Sequence, residues 1–307
     1  MKNQSICGGT SLETTSPNMA ERNIYLRQNS RRILLLFKAQ SHNYSKAKDC
    51  IRLGFFASLV SFILSAILVF YYEMSIAFSI FLSLSVFAAN SYLINKSNKY
   101  IELAAKIQQT IDIDLFKFSS NFNTLTFSEI TEVSAPYKNK NLSRFENWYS
   151  DYSNNDFLKQ IFYCQKENIR WEKRLRTKYL TLLFTIIIVL PIVSLAYLLS
   201  IGADISHYMM ACSWLFPIEQ LLITQYVRHR DNIELLIEIN SEWKCLEKYF
   251  SKHNEDELTC KLCALQSLIF EYRKRSVLVP NLFYFMFKKS MQKYEDDIAS
   301  ETTGQNS

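Results

Sequence analysis

Cys260 and Cys263 form a CxxC, with Cys245 and His253 upstream, and thiolate and imidazole donors are what a zinc ion takes. The second dyad of a closed four-ligand site is missing, so the reading is core packing and no metal is expected. Seven scattered cysteines in a reducing compartment are free thiols. Glu219 is a carboxylate inside an apolar run, where its charge is costly unless it faces a partner, a water path or a bundle interior. It could line or gate a pore, with Pro217 supplying a bend; alternatively it snorkels or pairs with Arg228, about 13 Å further along a helix. Arg170 and Arg174 share a helical face and could grip an anion such as a nucleotide phosphate, with Trp171 stacking on a base. The plainer reading takes the run Arg170, Lys173, Arg174, Arg176 and Lys178 as an anchor to anionic headgroups, at about 1 kcal/mol per charge.

The chain holds only five glycines, Gly8, Gly9, Gly54, Gly202 and Gly304, so it lacks the clusters that phosphate loops, dinucleotide turns and nucleophile elbows require. There is no HExxH pair and no acidic metal-binding run, and no catalytic residue or cofactor is expected. A net charge of +6 spread over three segments disfavours duplex nucleic acid as a partner.

The elements that would carry these residues follow from the basic side chains. All 35 lysines and arginines lie outside two apolar blocks, Leu53–Asn95 and Tyr179–Val227. An even spread would put about ten inside; their exclusion matches the 2.5–3.5 kcal/mol that a mid-bilayer Lys or Arg costs on the insertion scale. Each block is long enough for two crossings of roughly 20 residues and breaks near its middle, at Tyr71-Tyr72-Glu73 and at Gly202-Ala203-Asp204. The expected fold is an all-α membrane protein with four transmembrane helices in two hairpins. Met1–Arg52, Lys96–Lys178 and Arg228–Ser307 carry 9, 14 and 12 Lys/Arg and the connectors none, which puts both termini and the middle segment in the cytoplasm.

Residues 1–20 read as a disordered tail and 21–52 as a helix able to run into the first span. Within the hairpin 53–95, Ser58, Ser61 and Ser65 stripe one span, and Ser75, Ser79 and Ser83 the other. Such stripes serve close helix packing or, in an oligomer, a polar pore wall. The segment 96–178 opens with an amphipathic helix near Asn98–Phe118, continues irregularly to Asn147 and ends in a helix over Asn155–Lys178. In the hairpin 179–227 Pro191 should kink the third span, and Pro217 lies in the fourth. Helices are expected at Arg228–Phe250, Glu255–Arg275 and Pro280–Ala299 within 228–299, before a solvated tail at 300–307.

Four stretches also resemble the S-4TM family, four-helix membrane effectors encoded beside bacterial nucleotide second-messenger synthases. They are Arg27-Gln28-Asn29 with Lys38-Ala39-Gln40 and Tyr44–Lys48; Asn147-Trp148-Tyr149; Cys164–Glu172 with Arg174-Leu175-Arg176; and Leu265-Gln266, Arg273, Val279–Tyr284 and Glu295. Arg228, Arg230 and Asp231 follow the fourth span, and the resemblance covers about Arg22–Ile298 but not the generic stretch Lys117–Asn147. It implies a pore-forming effector of an antiphage system that disrupts the inner membrane once a neighbouring synthase makes a cyclic oligonucleotide; because four spans leave no room for a wide aqueous path, a homo-oligomer is expected. A housekeeping channel or transporter, or a membrane-anchored adaptor, would show the same spans.

Overall fold

In the computed structural model the described residues are 23–72, 76–118, 122–250 and 255–303, and among them the chain is helical with no strand. A short α1 (Ile24–Arg27) is followed by two long helices, α2 (Arg31–Tyr72) and α3 (Ile76–Phe116). Then come α4 (Phe127–Ser134), two more long helices, α5 (Phe157–Ser200) and α6 (Ile205–Tyr249), and finally α7 (Glu255–Arg275) and α8 (Asn281–Thr303).

The four long helices have 42, 41, 44 and 45 residues. At 1.5 Å per residue each is about 60–68 Å long, twice what a bilayer core of about 30 Å needs. Each apolar stretch is therefore one half of a continuous rod whose other half is polar. The amphipathic helix expected near Asn98 is the same rod as the apolar stretch before it. Asn95-Lys96-Ser97-Asn98 contains no glycine or proline, so nothing breaks α3 before Lys117, which turns left-handed at φ 55°.

In the apolar halves the large side chains point outward. Phe56, Leu59 and Ile63 on α2, Phe81 and Leu84 on α3, Val189, Ile192 and Val193 on α5, and Ile205 and Phe216 on α6 are all exposed. Together they form an apolar belt far too large for an aqueous surface. Two helices, α3 from Ala77 and α5, are long and apolar enough by composition alone to cross a membrane. In α6 the apolar stretch is interrupted by Glu219, Gln220 and Gln225.

Beyond the belt, the polar halves build a soluble core. Ile33, Leu36 and Phe37 of α2, Ile107 and Ile111 of α3, Ile161 and Phe162 of α5, Leu236 and Trp243 of α6 and Leu262 and Ile269 of α7 share one buried cluster. Phe162 and Trp243 stack at 4.7 Å. The stretch expected to be irregular before Asn147 contains α4. Thr126 accepts from the Glu129 N–H at its start while the Glu129 carboxylate accepts from the Thr126 N–H, a reciprocal cap written as Thr-Phe-Ser-Glu. Pro280 caps α8 from outside, its carbonyl accepting from the Tyr284 N–H; α8 runs to Thr303, beyond the helix end expected at Ala299.

Candidate functional site

Inside the belt, α2, α3 and α6 meet along a polar seam. Proline has no N–H, so at Pro217 the carbonyl four residues back, on Ser213, loses its helical donor. Ser83 of α3 donates its hydroxyl to that carbonyl at 2.6 Å. Ser79 shares a 3.0 Å hydrogen bond with the Ser213 hydroxyl and accepts from the Trp214 indole N–H at 2.7 Å. Two turns on, Asn90 donates to Ser58 Oγ at 2.9 Å and faces the Pro217 carbonyl at 3.5 Å. A Cβ at Gly54 would lie 3.0 Å from Asn90 Oδ1, so glycine here admits the amide. Ser61 and Ser65 are buried with hydroxyls that find no partner among the described residues.

Ser79 and Ser83 are therefore turned into the helix bundle, bonded to α6, while Ser75 lies outside the described residues. Glu219 is half-buried, and its Oε1 is buried without a hydrogen-bond partner among the described residues. It makes no ion pair with Arg228, which donates instead to Asn98 Oδ1 at 2.6 Å. Pro191, unlike Pro217, lies on the exposed outward face, and α5 and α6 run through both prolines as continuous helices.

Where the apolar stretches end, the polar halves are tied by one arginine. Arg176 is 2% exposed, so it is no headgroup anchor, contrary to the reading of the basic run. Its stripe on α5 includes Ile169, Tyr179 and Leu183, all buried, which turns it inward. Nε reaches Glu172 at 2.9 Å and the Tyr272 hydroxyl at 2.5 Å. Nη1 donates to the Val277 carbonyl at 2.6 Å and to His229 Nδ1 at 3.0 Å, and Nη2 to Ser276 Oγ. One side chain thus joins α5, α6, α7 and the segment leading to α8. Burial, then the Arg176 and Arg228 charges, push His229 down to about 2, so it is a neutral acceptor in this knot.

A second network lies deeper in the core built by the polar halves. Asp112 accepts from Arg273, from Tyr149 OH at 2.8 Å and from Gln266 Nε2 at 3.0 Å. Gln266 also donates to Gln109 and accepts from Gln165, both at 2.9 Å. The same stretches supply two reciprocal clamps. Gln28 exchanges hydrogen bonds with the Tyr149 backbone at 2.7 and 3.1 Å, and Asn29 with Asn147 at 2.9 Å each way.

Beside the Arg176 knot, α3, α6 and α7 enclose an open cleft of about 680 Å³. Arg228, Lys274 and Arg275 bring cations to it, Glu102, Asp231, Glu234 and Glu238 carboxylates, and Asn98 and Asn232 amides. Lys274 pairs with Glu102 at 3.5 Å. Arg228 Nη1 and Asn232 Oδ1 are buried with no partner among the described residues, and burial lowers Arg228 from its ordinary value. None of these residues was singled out as a ligand contact from the sequence; the signal was the cluster Arg228-His229-Arg230-Asp231-Asn232 directly after an apolar run. The basic face that was singled out is engaged by α8 instead. Arg174 stacks 3.3 Å over the Tyr294 ring and Trp171 packs 6.2 Å from Tyr284, while Arg170 is half-buried on the same face. Cys263 is half-buried against the core, whereas Cys260 and Cys245 are exposed and His253 is outside the described residues. Cys260 therefore does not fill the packing role expected of it.

Long helices sharing one apolar belt, with a soluble core built on their prolonged ends, define a helical membrane protein. The chain belongs to the family of the SMODS-associating 4TM effector domain, whose model matches residues 22–302, so the resemblance carried by the short motifs holds. A curated relative, a probable CBASS effector molecule of Bacillus cereus (strain VD146), is 25% identical over 272 residues, covering 85% of this chain and 91% of its own. No solved structure matches the chain.

Proposed function

We propose that this membrane effector acts in antiphage defence as a pore-former, opened by a nucleotide second messenger and permeabilising the bacterial inner membrane of the infected cell. The four long helices cross as two hairpins, α2 with α3 and α5 with α6. Both termini and the core lie on the cytoplasmic side, where the lysines and arginines are. The observation that carries this reading is helix continuity. The surfaces of the cytoplasmic cleft and the polar seam in the belt belong to the same unbroken rods, α3 and α6.

In the closed protomer Ser79, Ser83, Asn90 and Glu219 are packed inward and the outside of the belt is apolar. Conduction therefore requires the rods to part, with several copies pooling their seams around a water path. A cyclic oligonucleotide would sit in the cleft with its phosphates on Arg228, Lys274 and Arg275 and its base amino groups on the carboxylates. It must favour the open arrangement; moving the population from 1:99 to 99:1 takes about 5.5 kcal/mol of differential affinity. Arg174 and Trp171 become available to an anion only if α8 lifts, which makes the cleft the better entry point.

Co-expression with a synthase of cyclic oligonucleotides, read by a membrane-potential dye, tests the proposal. Depolarisation should need both proteins and should be lost in Arg275→Ala and Lys274→Ala, both variants still present in the membrane fraction. Survival with normal potential during active nucleotide synthesis would favour an adaptor and refute pore formation.

A further inference from the structure

The helix α8 has one face on the protein and one with no neighbour among the described residues. Phe283 and Met291 are buried with Leu175, Tyr179 and Leu183 of α5 and Leu222 of α6. On the opposite face Leu282, Phe285 and Met286 are 78%, 61% and 67% exposed, and Lys289 and Lys293 continue the same stripe. The height of this helix is fixed at four points. Asn281 accepts from Lys48 at 2.6 Å, Phe283 meets the Tyr179 ring at 5.1 Å, Phe287 lies 4.2 Å from Lys178 Nζ, and Tyr294 lies under Arg174. All four partners lie within five residues, about 7 Å, of where the apolar blocks begin at Leu53 and Tyr179. The headgroup layer of a leaflet is about 5–8 Å deep.

We infer that α8 is an interfacial helix: it lies along the cytoplasmic leaflet, with Leu282, Phe285 and Met286 among acyl chains and Lys289 and Lys293 at anionic headgroups. An apolar face that turns basic within one turn, held at headgroup height beside the lipid-facing belt, fits a leaflet better than a second protein chain. The cytoplasmic segment expected over 228–299 therefore ends in a membrane-seated helix. Its inner face covers Trp171 and Arg174, which places lipid contact directly behind the basic face of α5.

Photo-crosslinking of the full-length chain in its own membranes tests this. The analogue p-benzoylphenylalanine is placed at Phe285, at Val193 on the belt and at Ser241 on the exposed cytoplasmic part of α6. Phospholipid adducts at position 285 should approach those at 193 and exceed those at 241 on the order of tenfold. In bilayers of mixed phosphatidylglycerol and phosphatidylcholine, Lys289→Glu with Lys293→Glu should remove the phosphatidylglycerol preference of the adduct at 285. A crosslink between two copies through 285 would make the face a subunit interface, and no adduct at 285 would make it a water-facing surface; either overturns the inference. Lipid adducts at Val193 in the same experiment show whether the spans themselves are embedded, so the two failures are distinguishable.

Discussion

Replacing Arg176 by methionine should loosen the junction between the soluble core and the membrane helices. The side chain is similar in length, so little volume is lost, but its hydrogen bonds vanish. Glu172 is partly exposed and still accepts from Tyr272 OH at 2.9 Å, so it needs no new partner. His229 Nδ1, the Val277 carbonyl and Ser276 Oγ are left in a buried site with no donor. At about 1–3 kcal/mol for each unsatisfied buried group, offset by the relief of a buried charge, the net cost is roughly 3 kcal/mol. Arg176→Lys keeps the charge, but a single ammonium cannot span both ends of the cluster; it should lose about 2 kcal/mol. Arg174→Met, which removes only a ring contact with Tyr294, should cost less than about 1 kcal/mol. Thermal unfolding in detergent, followed by tryptophan fluorescence, should place Arg176→Met about 5–10 °C below the parent and Arg174→Met within a few degrees of it. If Arg176→Met unfolds with the parent, or at no lower temperature than Arg174→Met, the junction is not held by this side chain.

His229 gives the pH dependence a sign. Its folded-state value of about 2 lies below the ordinary 6.5, so the folded chain stays unprotonated while the unfolded chain takes up a proton. Stability is thus complete above pH 6.5 and falls by about 1.4 kcal/mol per unit below it, about 2 kcal/mol by pH 5; His229→Gln should flatten that slope in melts between pH 5 and 7.5. Ser83→Ala should cost about 0.5–1.5 kcal/mol by leaving the Ser213 carbonyl bare, and markedly less in a Pro217→Ala background, where a restored N–H can take that carbonyl. A double-mutant cycle with equal costs in both backgrounds would show that the seam is not built around the proline. Glu219→Gln should alter ion flux while leaving membrane insertion intact; unchanged flux removes Glu219 from the conduction path.

The apolar belt was legible in the sequence because lysine and arginine cannot enter hydrocarbon, so their absence draws its edges at Leu53 and Tyr179. The continuity of the rods was only half legible. A polar run such as Asn95–Asn98 looks like a linker, yet polarity does not terminate a helix when no glycine or proline is present. Gln28, Asn29, Tyr149, Gln165, Gln266 and Arg273 were visible as short motifs, but their roles depend on partners around a hundred residues away, which spacing along the chain cannot reveal. Arg176 was misread because it sits in a basic run; its place on the stripe of Ile169, Tyr179 and Leu183 was the available clue. The polar cluster from Arg228 to Asn232 was the cleft's one local sign, but the cleft itself was not legible, since Asn98, Arg228 and Lys274 come together only when α3, α6 and α7 pack.

Dye release from liposomes holding the purified full-length chain tests the central claim most directly. Addition of the cognate cyclic oligonucleotide, drawn from a panel of cyclic di- and trinucleotides, should empty the vesicles, while linear nucleotides and the Arg275→Ala protein should not. Vesicles that stay sealed with every member of the panel, or that leak equally without any nucleotide, contradict a ligand-opened pore.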